Sequence, residues 1–480
     1  MRALLTTSIG VACATAFTLP LAAPAPAAPV QAPVAQTPAA APGEPAGSTQ
    51  SLPLRPLTDA APRTTGEPTA PAAAQGLPRR DSHRFSLVGV VWDDAGTELH
   101  GTVQVRTRAT GTGRWSGWQS LETHNTDHAA DSGSPERESG TVRGSTAPLW
   151  VGESDGVEVR VRSESSAPRD GSAGSGLLPA GLQVELVDPG DDPEEPRTEG
   201  APAPGTSSAV PAVAPSAGTT TPATAARPGA LPELAGLGLA AAESSAVNAD
   251  LAPLGATGIT ALSKAESEEQ AVVGAAAKPF VGPRPAIVTR KGWGADESLR
   301  ERSFAYTSTV KAAFIHHSAT GNNYTCAQAP SVLRSIYRYH VKSSGWRDFG
   351  YNFAVDKCGK IYEGRAGGVS KAVLGAHTLG FNTNSMGIAV LGTYSSKNPP
   401  AAAVTAVAKL TAWKLGLFGR NPKGKVTLVS GGSGKYKKGA KARLDVISGH
   451  RDGFATECPG IRLYKKLGTA RTSSAKLQGR

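Results

Sequence analysis

Ala312-Ala313-Phe314-Ile315-His316-His317 is a short apolar run that ends in two histidines. Six residues without a polar break before the imidazoles read as a buried strand. Neighbours on a strand point to opposite faces, so only one of His316 and His317 can readily face a given cavity. Outward from this strand the chain alternates helical and extended patterns. Leu333, Ile336, Tyr337 and His340 follow the i, i+3, i+4, i+7 rule of one helical face. Tyr351 to Val355 and Met386 to Leu391 read as further strands. Pro399-Pro400 opens a helix with Val404, Val407, Leu410 and Leu417 on one side, and Gly419 ends it. Thr427 to Val446 reads as a hairpin around Gly431-Gly432-Ser433-Gly434. The expectation is an α/β domain from 286 to 470, with a central mixed β-sheet flanked by helices and a tail over 471–480.

Upstream the pattern differs. Val157, Val159 and Val161 alternate with charged residues, and so do Leu182, Val184 and Leu186 with their neighbours. This period of two predicts a small all-β, sandwich-like domain over 82–188. Trp92, Trp115, Trp118 and Trp150 lie within it, either as core or as exposed rings able to stack on sugar. Ala, Pro, Gly, Ser and Thr dominate 33–81 and 189–285, which read as a disordered spacer and a disordered linker. A transient helix is allowed near Leu231 to Ala242. Residues 1–32 read as a secretory signal peptide, with Arg2 before a small apolar run and several Ala-x-Ala options after it.

The chain has 480 residues, and its formal net charge of +11 conceals a division. Residues 286–480 hold 31 Lys+Arg and 9 Asp+Glu; the remainder holds 19 and 30. A basic domain attracts polyanions. Export makes nucleic acid a poor partner and an acidic cell-wall polymer a good one. Lys435, Lys437, Lys438 and Lys441 on the hairpin serve equally as an anion-binding patch or as a solvated face. No apolar run after the signal reaches the ~20 residues of a membrane span. Nothing points to oligomerisation, so a monomer is expected.

Three cysteines follow the signal: Cys326, Cys358 and Cys458. In an oxidising compartment two can pair and one needs another reason to exist. His450 sits in Ser448-Gly449-His450-Arg451-Asp452, shortly before Cys458-Pro459-Gly460. Two histidines and one thiolate with one open position form a recognised catalytic zinc pattern. By spacing alone the alternative stands: core or surface histidines and a buried apolar thiol.

The motifs around these residues resemble those of the zinc-dependent N-acetylmuramoyl-L-alanine amidases, which share a fold with the peptidoglycan recognition proteins. They are Phe314-Ile315-His316-His317-Ser318-Ala319, the stretch Gly345-Trp346 to Gly350-Tyr351-Asn352-Phe353, Ile361-Tyr362-Glu363-Gly364-Arg365, Gly375-Ala376-His377-Thr378, Gly449-His450-Arg451-Asp452 and Thr456-Glu457-Cys458-Pro459-Gly460. They run in the family's order from about Arg290 to Leu467. The resemblance implies Zn2+ held by His316, His450 and Cys458, with Tyr351 in catalysis. Thr456 occupies a position that is Lys in some amidases and Thr in others. His377, Trp346, Arg365 and Asn352 are implied to contact substrate; His317 and His340 are read as supporting or structural. Family members often carry a disulfide in the region of Cys326 and Cys358, which implies that pairing here. The implied reaction is cleavage of the amide between the lactyl group of N-acetylmuramic acid and L-alanine in peptidoglycan, and the implied location is extracellular and cell-wall associated. There is no HExxH glutamate to act as base. The competing expectations are a non-catalytic peptidoglycan-binding module, whose family members characteristically lose the cysteine, and a wall adhesin acting through the β-domain.

Overall fold

The computed structural model describes residues 47–57, 74–123, 126–164, 178–192, 238–272 and 280–480. The signal-peptide reading, Cys13 and most of the 189–285 linker lie outside these residues.

The first domain is all β. Its strands are β1 (Ser48–Pro53), β2 (Arg55–Pro56), β3 (Ala74–Trp92), β4 (Gly101–Ala109), β5 (Gln119–Leu121), β6 (Gly144–Ser145), β7 (Leu149–Ser163) and β8 (Gln183–Asp188). They form one connected antiparallel sheet in the order β1-β8-β3-β7-β4-β5. The alternating valines Val157, Val159 and Val161 point inward onto Val103, Val105, Val184 and Leu186. Trp92 and Trp150 are core. Trp115 and Trp118 are half-buried under guanidinium groups, with Arg160 4.0 Å above the Trp118 ring.

The domain begins earlier than the alternation suggests. Residues 48–57 and 74–81, read as spacer, contribute strands to this sheet. The pattern there is quiet for a physical reason. Arg79, Arg80, Asp81 and Arg84 of β3 face water, and the strand is held by its pairing with β7, across register shifts, rather than by an apolar stripe.

The second domain contains α1 (Leu239–Ala246), β9 (Gly258–Ile259), α2 (Lys264–Val272), β10 (Ile287–Val288), β11 (Ala312–His317), α3 (Ala329–Arg338), β12 (Phe353–Val355), β13 (Ile361–Glu363), β14 (Ser385–Val390), α4 (Ala401–Leu417), β15 (Lys425–Val429), β16 (Lys441–Asp445), β17 (Ile447–Gly449), α5 (His450–Gly453), α6 (Ile461–Tyr464) and α7 (Leu467–Gln478). Its main sheet is mixed, in the order β17-β11-β14-β12-β13-β10-β9, and β11 is wholly buried within it. Strands β15 and β16 form the expected hairpin.

Two boundaries need correction here. The segment read as linker contributes α1, β9 and α2. Asn248, just past α1, donates to the buried Glu363 at 2.8 Å. The tail begins inside α7, which packs on α4 through small residues: Ser474 meets Thr411 at 3.1 Å, and Gln478 donates to the Ala412 carbonyl. Ala470, Ser474 and Ala475 let the helices approach closely while carrying little hydrophobic signal of their own. Among the described residues no helix is long and apolar enough to cross a membrane.

Helix α3 is buried on nearly every side. It packs on Trp293, Ala354 and Leu391 of its own domain. It also meets Leu87, Val91, Trp150 and Val187 of the β-domain in the same apolar cluster. Gly89 of β3 makes this contact possible, since a Cβ there would lie 2.4 Å from the Tyr339 ring.

Cys326 and Cys358 form a disulfide with Cα atoms 6.2 Å apart, tying the approach to α3 to the turn between β12 and β13. Replacing both by serine is expected to cost about 3 kcal/mol through the larger unfolded ensemble. A loss of that size in the unfolding free energy of the double variant by denaturant titration, reproduced by reducing agent on the parent chain, checks it.

Candidate metal centre

Strand register brings the two histidines together. Strands β11 and β17 run parallel and adjacent, with Ile315 paired to Gly449. The next residues are His316, still in β11, and His450, which opens α5, at the carboxyl end of the sheet where crevices open. Their ring centroids are 4.5 Å apart. The chain turns through α5 and returns with Cys458, whose Sγ stands 3.8 Å from His316 Nδ1. Cys458 is buried and outside any disulfide. Thr456 accepts from the Cys458 backbone N–H at 3.2 Å and so holds this return. On the far side Tyr351 sets its ring 5.2 Å from that of His316.

A fourth residue enters from the β-domain. His128 lies in the connection between β5 and β6, and its ring is 4.5 Å from His450 and 5.2 Å from His316. One ligand atom each from His128, His316, His450 and Cys458 falls within 4.8 Å of the others, and all four residues are buried.

These residues fit a metal ion. His128 Nε2 and His450 Nδ1 are buried with no hydrogen-bond partner, with Asp127 Oδ2 3.8 Å from His450 Nδ1. Such orphaned lone pairs are costly without a ligand. Burial pushes the His450 imidazole down to about 3, against the pull of Asp127, and pushes His316 well below its usual value. Both imidazoles are therefore neutral and able to donate lone pairs. Burial pushes the Cys458 thiol well up, so a cation must displace its proton. Two or three nitrogens and one sulfur are the donor set that zinc takes.

The surroundings orient the ligands. His316 Nε2 faces Thr378 Oγ1 at 3.4 Å, and His450 Nε2 faces the Asp127 carbonyl at 3.2 Å. Of the tandem pair, His316 faces the cluster. His317 is not one of the four clustered residues; it accepts from the Tyr394 N–H at 3.3 Å, lies 3.3 Å from Glu122 and lines the cavity beside the cluster. His340 accepts from the Gly350 N–H and stacks on Trp346. A cavity of about 280 Å³ remains beside the cluster, lined by Tyr351, Thr456 and Cys458 from one domain and by Glu122 and His128 from the other.

The remaining expected substrate contacts are covered. His377 is wholly buried, 5.3 Å from His316 between ring centroids, and Trp346 is 5% exposed. Arg365 is gripped by Glu136 of the β-domain, with two N–H···O contacts of 2.8 Å. Asn352 donates to the Val373 carbonyl and accepts from Gly387 N–H. Asp127, His128 and Glu136 were not found in the sequence reading. They sit in a polar loop without periodicity, and only long-range docking brings them to the site.

A family profile described as N-acetylmuramoyl-L-alanine amidase matches residues 306–461, which span His316, His450 and Cys458. Peptidoglycan-recognition protein SC2 of Drosophila simulans is 32% identical over 183 residues, covering 38% of this chain and 85% of that protein. The chain belongs to the family of N-acetylmuramoyl-L-alanine amidases and peptidoglycan recognition proteins. A human N-acetylmuramoyl-L-alanine amidase is 32% identical over 190 residues, 38% of this chain and 28% of that one. The solved structure of wild-type Drosophila PGRP-LB is 26% identical, covers 38% of this chain and 92% of its own, and superposes with a TM-score of 0.31. A second profile, described as Rv3811 N-terminal galactose-binding domain-like, matches residues 26–200. In this family member the amidase/recognition domain thus carries a second, all-β domain that reaches the candidate metal centre.

Proposed function

We propose that the chain is a secreted zinc-dependent N-acetylmuramoyl-L-alanine amidase that cuts peptidoglycan between the lactyl group and L-alanine. The observation that carries this reading is Cys458: a buried unpaired thiol against His316 and beside His450, where a module that only binds has no need of one. His316, His450 and Cys458 would hold Zn2+, which when bound supplies Lewis acidity and activates water near neutral pH. Burial pushes the Tyr351 phenol well up, so it keeps its proton and can donate to the oxygen of the amide under attack. Thr456 fixes the backbone of Cys458. The 31 Lys+Arg of the C-terminal part draw the chain toward carboxylate-bearing stems and anionic wall polymers.

The test uses the full chain, because a fragment starting at 286 would bare the apolar face of α3. Zinc-loaded parent and His128→Ala chains are incubated to completion with isolated peptidoglycan. New L-alanine amino termini without new reducing sugar ends are expected. Binding with no new termini from either chain would replace this reading with that of a recognition module.

A further inference from the structure

The three-ligand reading leaves His128 unused. Its Nδ1 is tied to Asp127 Oδ1 at 2.7 Å, its Nε2 is buried without a partner, and the residue brings one ring nitrogen within 4.8 Å of the ligand atoms of the other three. An imidazole bound through one nitrogen to a carboxylate, presenting the other to a ligand set, is how metal-binding histidines are oriented. Resting on the zinc reading above, we propose that His128 is a fourth protein ligand. The folded chain is then a latent enzyme, whose β-domain loop occupies the position that water and substrate need. A set of three imidazole nitrogens and one thiolate is closed, and a hydrolytic site requires one open position.

The way the loop is held supports this. Asp127 accepts from the Leu379 N–H through its carbonyl at 2.9 Å. Asp131 accepts from the Gly380 N–H and from Asn382 Nδ2, both at 2.7 Å. Asn382 also donates to the Ala129 carbonyl at 3.0 Å. Glu136 clasps Arg365 and accepts from the Arg347 N–H at 3.1 Å. Each of these contacts is polar and can be exchanged for water at modest net cost. The body of the β-domain is anchored differently, by apolar burial of Leu87, Val91, Trp150 and Val187 against α3. The division points to withdrawal of the loop around 126–136 while the domain stays docked. Withdrawal would uncover the metal centre, Arg365 and the cavity together.

The test replaces zinc by Co2+ in the full chain and compares parent with His128→Ala. The parent is expected to show the bands of a closed four-coordinate site with three nitrogens and one sulfur, unmoved by azide. In His128→Ala the bands should shift and respond to azide. Zinc should pass to a chromogenic chelator more than about 100-fold faster, beyond the loss expected for a partner that merely orients a ligand, and amide cleavage should rise. Identical bands and release rates in both chains would overturn the ligand assignment. Shifted bands with slower cleavage would overturn latency, making His128 part of the reaction. Glu136→Gln, which loosens the loop without touching the cluster, is a second probe. Faster metal release and faster cleavage are expected there too, and no change in either would count against a removable cap. Shifted bands with no cleavage by any chain would uphold the fourth ligand and sink the amidase reading instead.

Discussion

Replacement of Cys458 by alanine is expected to leave a folded chain that neither keeps zinc nor cleaves peptidoglycan. The side chain is buried at the edge of a cavity, in the return from α5. The Thr456 hydroxyl still accepts from the backbone N–H of residue 458, so the loop keeps its path. What disappears is the one donor that is anionic when metal is bound, leaving neutral imidazoles alone. Loss of a partner that merely orients a ligand costs about 10- to 100-fold in metal affinity or activity; loss of a ligand should exceed that. Zinc per chain after dialysis and new L-alanine termini are the two measurements. Serine in the same place is expected to retain little more than alanine. Undiminished cleavage by Cys458→Ala would remove the thiol from the mechanism.

The largest expected loss of stability lies at Arg290. Its guanidinium is 2% exposed and donates to Glu297 at 2.7 Å, to Asp348 at 3.0 Å and to the Gly364 carbonyl. Burial works against this charge, yet Asp348 and Glu297 outweigh it and hold the group firmly protonated. Arg290→Ala takes from the buried Asp348 carboxylate its Arg290 partner and leaves it backbone N–H donors, while Glu297 keeps Arg300 at 2.6 Å. Breaking such a buried network by removing one partner costs about 3–5 kcal/mol. The consequence reaches the site: Asp348 also accepts from the Phe349 and Ala366 N–H groups, and the Arg365 N–H donates to the Tyr351 carbonyl. The turn that carries Tyr351 is thus clamped from Arg290. The denaturant midpoint measures the loss. An unchanged midpoint would mean that water reaches these carboxylates.

Strand β11 and the ends of α4 were legible because each has a local cause. An unbroken apolar run marks the strand, Pro399-Pro400 opens the helix, and Gly419, at φ 68°, closes it. His316, His450 and Cys458 were legible as candidates through their motifs, and the meeting of the two histidines follows from the parallel register of β11 with β17. The elements that escaped carry weak local signals. The solvent-facing arginines of β3 hide a strand secured by its neighbours, and the alanines and serines of α7 hide a helix secured by α4. His128 escaped for a different reason. Nothing in Glu122 to Arg143 is periodic, and its meaning depends on where another domain docks.

That docking has a consequence for how such a chain can change over generations. Because Leu87, Val91, Trp150 and Val187 share one apolar cluster with Val332, Leu333 and Ile336, neither domain is an independent bead. A bulkier side chain on α3 calls for a smaller one on β3 or β8, and Gly89 leaves no room at all beside Tyr339. The two domains are therefore inherited as one object. Grafting this β-domain onto another protein would transplant a face with no counterpart, and the histidine it presents would arrive with nothing to meet.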